Sequence, residues 1–323
     1  MKPALQAKPD TVFPPAEKPT IYFIGVTTGQ SSIMNVFPRW ADCLNLGDVQ
    51  IVGIDCKLHD DPRTYRAICQ HIKSDPNSCG ALVTTHKIDL LAACRDQFGR
   101  LDPWAQTTGE VSCISKSFGE LVGHAKDPIT SGLALEAFLP AGHWGKTSGH
   151  CCILGAGGAS IALTCRLLDA KQLDRPAQLI VTDRSADRLN EMRHIHEQLN
   201  GAKAVTYRLS ETPEMNDELV GALPAGSVVI NATGLGKDRP GSPLTDAVQF
   251  PQDGYAWDFN YRGNLVFLDQ ARRQQSARRL HVEDGWVYFL HGWTRVIAEV
   301  FHVDIPTHGP VFDQLSAVAR DAR

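Results

Sequence analysis

The segment that constrains this chain most is Cys151-Cys152-Ile153-Leu154-Gly155-Ala156-Gly157-Gly158-Ala159-Ser160, followed by the helix-forming run 161–168. An apolar strand that ends in Gly-x-Gly-x-x-Ser and continues as a helix is the arrangement that brings a pyrophosphate against a helix N-terminus. Gly155 permits the tight turn, Gly157 lets the backbone approach the phosphates, and Ser160 is the small residue at the third glycine position. Gly158 and Ala159 open the helix, whose free N–H groups and partial positive charge suit an anion.

Alone, this loop also fits a glycine-rich turn that serves packing. Its context points to a dinucleotide. The next strand, 178–183, ends on Asp183 about 25 residues past Gly158, where a carboxylate can accept hydrogen bonds from the adenosine ribose hydroxyls. A carboxylate there would repel the 2′-phosphate of NADP, so NAD is the expected cofactor. Arg184 and Arg188 argue for NADP, because arginine beside this strand end can clamp that phosphate; they also fit a solvated helix start. Asn231-Ala232-Thr233 ends the fourth strand of the unit, at the sheet edge where the nicotinamide half would rest.

This unit is the second of two. From Thr20 the chain already alternates strand-like runs at 20–26, 49–55 and 80–85 with helical spacing at 34–46 and 64–72. At 323 residues there is room for two domains, on the prior of about 150 residues each. The predicted fold class is α/β, with an N-terminal α/β substrate domain and a Rossmann-type, doubly wound nucleotide-binding domain. The expected boundaries are a partly ordered, Pro-rich extension at 1–19, a catalytic domain at 20–130, a nucleotide domain at 131–281, and helices at 282–323 returning to the first domain. The joint is expected at 127–149, linker-like where Gly142, Gly145, Thr147, Ser148 and Gly149 cluster.

Composition narrows the partners. With 32 Lys plus Arg against 36 Asp plus Glu, the net charge of −4 argues against a nucleic-acid footprint. The longest apolar stretches fall short of the roughly 20 residues of a membrane helix. Nine scattered cysteines without CxxC spacing read as reduced thiols, and with no secretory pattern at the start they predict a cytoplasmic protein with a small-molecule substrate.

In the first domain the candidate chemistry follows the third strand, in Thr84-Thr85-His86-Lys87, and sits at Asp127 just before the second domain. Oxidising an alcohol by hydride transfer requires a proton acceptor, and a cleft lysine oriented by a carboxylate can serve without a metal. A Lys and an Asp at such places are equally at home as surface groups.

The motif order adds to this reading. Ser31-Ser32, then Gly80-Ala81-Leu82-Val83-Thr84-Thr85-His86-Lys87, Gly123-x-x-x-Asp127, the glycine loop, Asn231-Ala232-Thr233, Asp258-Phe259-Asn260-Tyr261 and Asp284-Gly285 together resemble the shikimate dehydrogenase family over about residues 20–305. The resemblance implies a catalytic and a nicotinamide-binding domain with substrate held between them, and a monomer or homodimer. It makes Lys87 the catalytic lysine and Asp127 its partner, and it assigns Ser31 and Ser32 to the substrate carboxylate, Thr84 and Thr85 to the substrate-binding motif, and Tyr261 to the cleft. Asp183 stands where the family has Asn with NADP or Asp with NAD.

The departures bear on the substrate. The family's Ser-x-Ser-Pro reads Ser31-Ser32-Ile33-Met34, the lysine motif is one residue shorter and lacks its Asn, Asn-Thr-Asp reads Ala125-Lys126-Asp127, and His291-Gly292 stands near the place of an expected Gln. A site built on hydroxyl contacts discriminates strongly when one partner changes. His86, Lys126 and His291 add cationic or donor groups that would suit an anionic, hydroxyl-rich cyclitol or sugar acid, though His86 and His291 are equally placed as packed residues. The expectation is an NAD(P)-dependent oxidoreductase acting on a secondary alcohol or its ketone in a small hydroxylated carboxylate. The alternatives are a true shikimate or quinate dehydrogenase and a non-catalytic dinucleotide sensor.

Overall fold

The run Thr20–Gly25 is buried at every position, as a strand covered on both faces must be, and the first sheet forms around it. The computed structural model describes residues 4–237 and 239–322. In it the chain divides into two units, Met1–Lys126 with Gly292–Arg323 and Asp127–His291.

Among the described residues the first unit holds β1 (Leu5–Gln6), β2 (Thr20–Gly25), β3 (Gln50–Asp55), β4 (Ser78–Val83), β5 (Phe98–Leu101), β6 (Cys113–Ser117) and β7 (Glu120–His124). They lie in the order β1-β3-β2-β4-β6-β7-β5. Strands β1, β3, β2 and β4 run parallel, while β6 pairs antiparallel with both β4 and β7. Helices α1 (Ile33–Cys43), α2 (Pro62–Ser74), α3 (Lys87–Cys94) and α4 (Pro103–Thr108) connect them. Both α2 and α4 begin with an Asp-Pro pair. Asp61 accepts from Arg63 N at 2.9 Å and Asp102 from Ala105 N at 2.7 Å, and each proline fills a first-turn position that needs no N–H.

Over its described part the extension at 1–19 packs on the first unit: β1 extends the sheet, Phe13 is buried and stacks on His71 at 5.1 Å, and Ala16 N donates to Asp75 at 2.9 Å. One sequence expectation is corrected. The joint at 127–149 is helical, with α5 (Asp127–Phe138) and α6 (His143–Thr147). Gly142 (φ +73°) and Ser148 (φ +54°) are the left-handed residues that cap α6, and Gly145 and Thr147 lie within it, so these small residues belong to a helix and its caps instead of a linker.

The second unit alternates strand and helix: β8 (Cys151–Leu154), α7 (Gly158–Leu168), β9 (Leu179–Asp183), α8 (Ala186–Gln198), β10 (Val205–Leu209), α9 (Pro213–Gly221), β11 (Val228–Asn231) and β12 (Tyr255–Asp258). After them come α10 (Val266–Arg272), α11 (Gln275–Arg278) and β13 (His281–Glu283). The strands are parallel, in the order β10-β9-β8-β11-β12-β13. Strand order reverses between β8 and β11, and a crevice opens at such a point beyond the strand ends. Helix α12 (Trp286–Phe301) runs across the division at 291/292, and α13 (Pro310–Asp321) belongs to the first unit. There Leu315 accepts the indole N–H of the fully buried Trp40 at 2.8 Å.

The helices that follow the glycine loop and Asp183 are locked together by His196. Its Nε2 lies 2.7 Å from Thr164 Oγ1 and its Nδ1 2.7 Å from Tyr207 Oη. Burial holds this imidazole down at about 4. The unfolded chain takes up a proton at about 6.5 that the folded protein refuses, so stability falls as pH drops through the window from about 6.5 to about 4. The expected loss from this group is about 3 kcal/mol. Denaturant unfolding at pH 7 and pH 4 measures it, and the loss shrinks in His196→Gln.

Candidate active site

The glycine loop fits a dinucleotide through its backbone. Gly155 has φ +105°, and a Cβ there would stand 3.1 Å from both the carbonyl carbon and the oxygen of Ala232 and from Thr233 Cγ2. Only glycine lets the chain leave β8 past the end of β11. Gly157 is the N-cap of α7 with no side-chain cap, and nothing lies within 4 Å of its Cβ position. Uncapped first-turn amides beside open space make an anion site. Gly158 is exposed and Ala159 half-buried in that turn. Ser160 is fully buried and its hydroxyl donates to Gly155 O, so it ties the loop to the helix from within.

A cavity of about 380 Å³ opens here. Of the residues singled out in the sequence, Gly155, Gly157, Asp183, Arg184, Arg188, Ala232 and Thr233 line it. Asp183 is more committed than its sequence position suggests: Oδ2 accepts from Ala156 N at 2.8 Å and Oδ1 from Ser185 N at 2.9 Å. The carboxylate fastens the glycine loop to the start of α8, and each oxygen keeps acceptor capacity for a ribose hydroxyl.

Sequence reading missed much of the cavity wall, including Ser210, Glu211, Asn216 and Arg239. Asn216 donates to Pro243 O at 3.0 Å, and its own amide oxygen is buried without a partner. The available signal was the polar run after β10, at the same sheet edge as Asp183.

Asn231 is buried and shapes the next loop. Its amide donates to Asp258 at 2.9 Å, and its oxygen accepts from Thr233 Oγ1 at 2.7 Å and from Thr233 N at 3.1 Å. Burial pushes the Asp258 carboxyl up to about 6, against the opposing pull of hydrogen bonds from Asn260 and Asn231. Tyr261 is half-buried, its ring 4.8 Å from Phe289 and 5.6 Å from Trp286.

In the first unit, Ser31 and Ser32 are half-buried at the start of α1, with Ser32 as N-cap making no side-chain cap bond. Thr84 N donates to Ile24 O at 2.9 Å as the chain leaves β4. Thr85 is exposed at φ +59°, a conformation that costs a β-branched residue energy. His86 is buried, with Nδ1 3.1 Å from Tyr65 Oη. Lys87 follows as the first residue of α3, and Asp127 is the first residue of α5 in the second unit.

The expectation that His86, Lys126 and His291 present extra charge to a substrate meets a different environment. Lys126 is paired with Glu299, which also lies 3.4 Å from His124 Nε2. His86 packs on Tyr65, and burial holds its imidazole below the ordinary range despite the backbone and carboxylates near it. His291 is 1% exposed.

No family model matches the chain. Shikimate dehydrogenase (NADP(+)) of Methylocella silvestris is 29% identical over 54% of this chain and 54% of its own length, and that of Gluconobacter oxydans is 26% identical over 73% and 75%. The matches thus span between about half and three quarters of these curated relatives. Among solved structures, shikimate 5-dehydrogenase of Thermus thermophilus, in complex with NADP(H) and shikimate, superposes with a TM-score of 0.68 at 20% identity, covering 94% of this chain and 99% of that one. Quinate dehydrogenase of Corynebacterium glutamicum, in complex with NAD, gives a TM-score of 0.72 at 16% identity over 94% and 99%. The chain is thus similar in sequence to shikimate dehydrogenases and shares their fold.

The two-unit α/β fold is the one shared with these dehydrogenases. All nine cysteines are free, and burial raises thiols such as Cys56, Cys113 and Cys152 above their ordinary range. Among the described residues no group of three or more His, Cys, Asp or Glu is arranged to hold a metal. No helix among them is long and apolar enough to cross a membrane.

Proposed function

We propose that this chain is a nicotinamide-dinucleotide-dependent alcohol dehydrogenase of the shikimate dehydrogenase type, acting on a small hydroxylated carboxylate. The observation that carries the proposal is the loop at Gly155 and Gly157, where a backbone without side chains meets an uncapped helix end inside a cavity. The names of the sequence relatives, each a shikimate dehydrogenase (NADP(+)), agree with it.

The second unit would hold the dinucleotide. The amides that open α7 take the pyrophosphate, Asp183 and the arginines beside it take the adenosine end, and the Asn231-organised loop takes the nicotinamide end. When bound, the nicotinamide supplies or accepts the hydride. Lys87 moves the proton of the reacting hydroxyl, and Asp127 orients it; both roles follow from the motif match. Ser31, Ser32, Thr84 and Thr85 supply hydroxyls for the carboxylate and ring substituents.

Asp183 favours NAD when read from sequence alone. Its two bonds to backbone amides and the arginines near it shift the proposed preference toward NADP.

The substrate favoured is a shikimate- or quinate-like acid. With Lys126 paired to Glu299, the structure supplies little of the extra positive charge on which a more anionic sugar acid would depend. Absorbance of the reduced nicotinamide tests the reading, with NAD⁺ and NADP⁺ each offered shikimate, quinate, and a panel of cyclitol and sugar acids. Turnover of shikimate or quinate is expected. Saturable dinucleotide binding without turnover of any acid would instead make the protein a sensor.

A further inference from the structure

We propose that Arg239, on the loop after β11, reads the adenosine 2′-phosphate of NADP together with Arg184 and Arg188. The inference rests on the reading of this cavity as a dinucleotide site.

Three guanidinium-bearing residues line the cavity, Arg184 from the turn after β9, Arg188 from the first turn of α8 and Arg239 from a separate loop. Among the described residues none of the three has a carboxylate partner. Elsewhere the chain pairs its arginines readily, as in Arg66 with Asp96, Arg273 with Asp246 and Arg279 with Asp253. The lining holds two carboxylates, Asp183 and Glu211. Asp183 spends one acceptor site of each oxygen on backbone N–H groups, which offsets part of its charge.

Three guanidiniums against two carboxylates leave this lining with an excess of positive charge, which an entering anion offsets. Their planar forks match phosphate oxygens better than any other physiological anion of this size except carboxylate. The pyrophosphate common to NAD and NADP already has the uncapped amides of α7. The additional dianion of NADP, the 2′-phosphate, is the group left for the arginines.

The backbone that carries Arg239 is fixed. Gly236 N donates to Arg239 O at 2.7 Å, Leu265 N donates to Gly236 O at 3.2 Å, and the amides of Asn231 and Asn260 both donate to Leu235 O at 3.3 Å. A side chain borne on a loop pinned in this way pays less ordering entropy when it closes on a ligand.

Calorimetric titration of the full-length protein with NADP⁺, NAD⁺, 2′,5′-ADP and 5′-AMP tests the assignment in wild type, Arg239→Ala and Arg239→Lys. Arg239→Ala is expected to weaken NADP⁺ and 2′,5′-ADP by about tenfold or more, while NAD⁺ and 5′-AMP bind as they do to wild type. Arg239→Lys keeps the charge and loses the fork, so it falls between. Raised salt should narrow the difference between wild type and the alanine variant. Equal losses for NAD⁺ and NADP⁺ overturn the proposal and move Arg239 to the shared pyrophosphate. Unchanged affinity for all four ligands overturns it as well. Wild-type protein that binds neither dinucleotide overturns both this proposal and the reading of the cavity.

Discussion

Lys87→Ala is expected to bind its dinucleotide as wild type does and to turn over substrate about a hundredfold or more slowly, the scale on which a positioned proton-transfer group contributes. The turn that carries Lys87 is held by backbone bonds and by neighbouring side chains. Thr84 is held by Ile24, His86 is buried against Tyr65, and α3 begins at Lys87 itself. Removing the side chain therefore removes an ammonium and leaves the turn. Lys87→Arg separates proton transfer from charge, because arginine keeps the cation and cannot give up its proton near neutral pH. Steady-state rates with saturating cofactor make the measurement. Near-wild-type turnover in Lys87→Ala would remove it from the mechanism, and recovery by arginine would make its role purely electrostatic.

The two glycines of the phosphate loop are expected to fail in different ways. Gly155→Val places a β-branched side chain at φ +105°, with its Cβ 3.1 Å from the Ala232 carbonyl. The strain alone costs about 1–3 kcal/mol, and relieving the contact shifts the loop away from the end of β11. Gly157→Ala meets nothing within 4 Å and has an extended backbone. Its stability should be unchanged or higher by about 0.4–1 kcal/mol. In the proposed binding mode the added methyl would occupy the space through which a pyrophosphate reaches the helix amides. Thermal unfolding with and without dinucleotide distinguishes the cases, since a ligand that binds only the folded state raises the midpoint. Wild type should show the rise. Gly155→Val should melt lower and show none, whereas Gly157→Ala should melt like wild type and also show none. A normal ligand-induced rise in Gly157→Ala would mean that the dinucleotide does not lie on this loop.

What could be read in advance was local. The strand-loop-helix at 151–168, the acid at the end of β9 and the alternation of strands and helices are short-range patterns, and each is encoded by neighbours within about one turn or one strand. The N-terminal strand escaped notice because Leu5–Gln6 is only two residues long and pairs with Ile54 and Asp55, far along the chain. The β6–β7 hairpin turns on Phe118 and Gly119, both at positive φ, without the Asn-Gly pair that usually announces such a turn.

The sequence by itself determined the fold class and the strand-glycine loop-helix at 151–168, since glycine spacing and hydrophobic period act over a few residues. Tertiary structure alone decided which charges are spent and which remain. Lys126 meets Glu299 across 173 residues, and Arg239 reaches the cavity of Arg184 and Arg188 from another loop. Whether a cation is neutralised or left facing a cavity depends on what the packed chain brings within a few ångströms, and such partners are chosen by long-range packing.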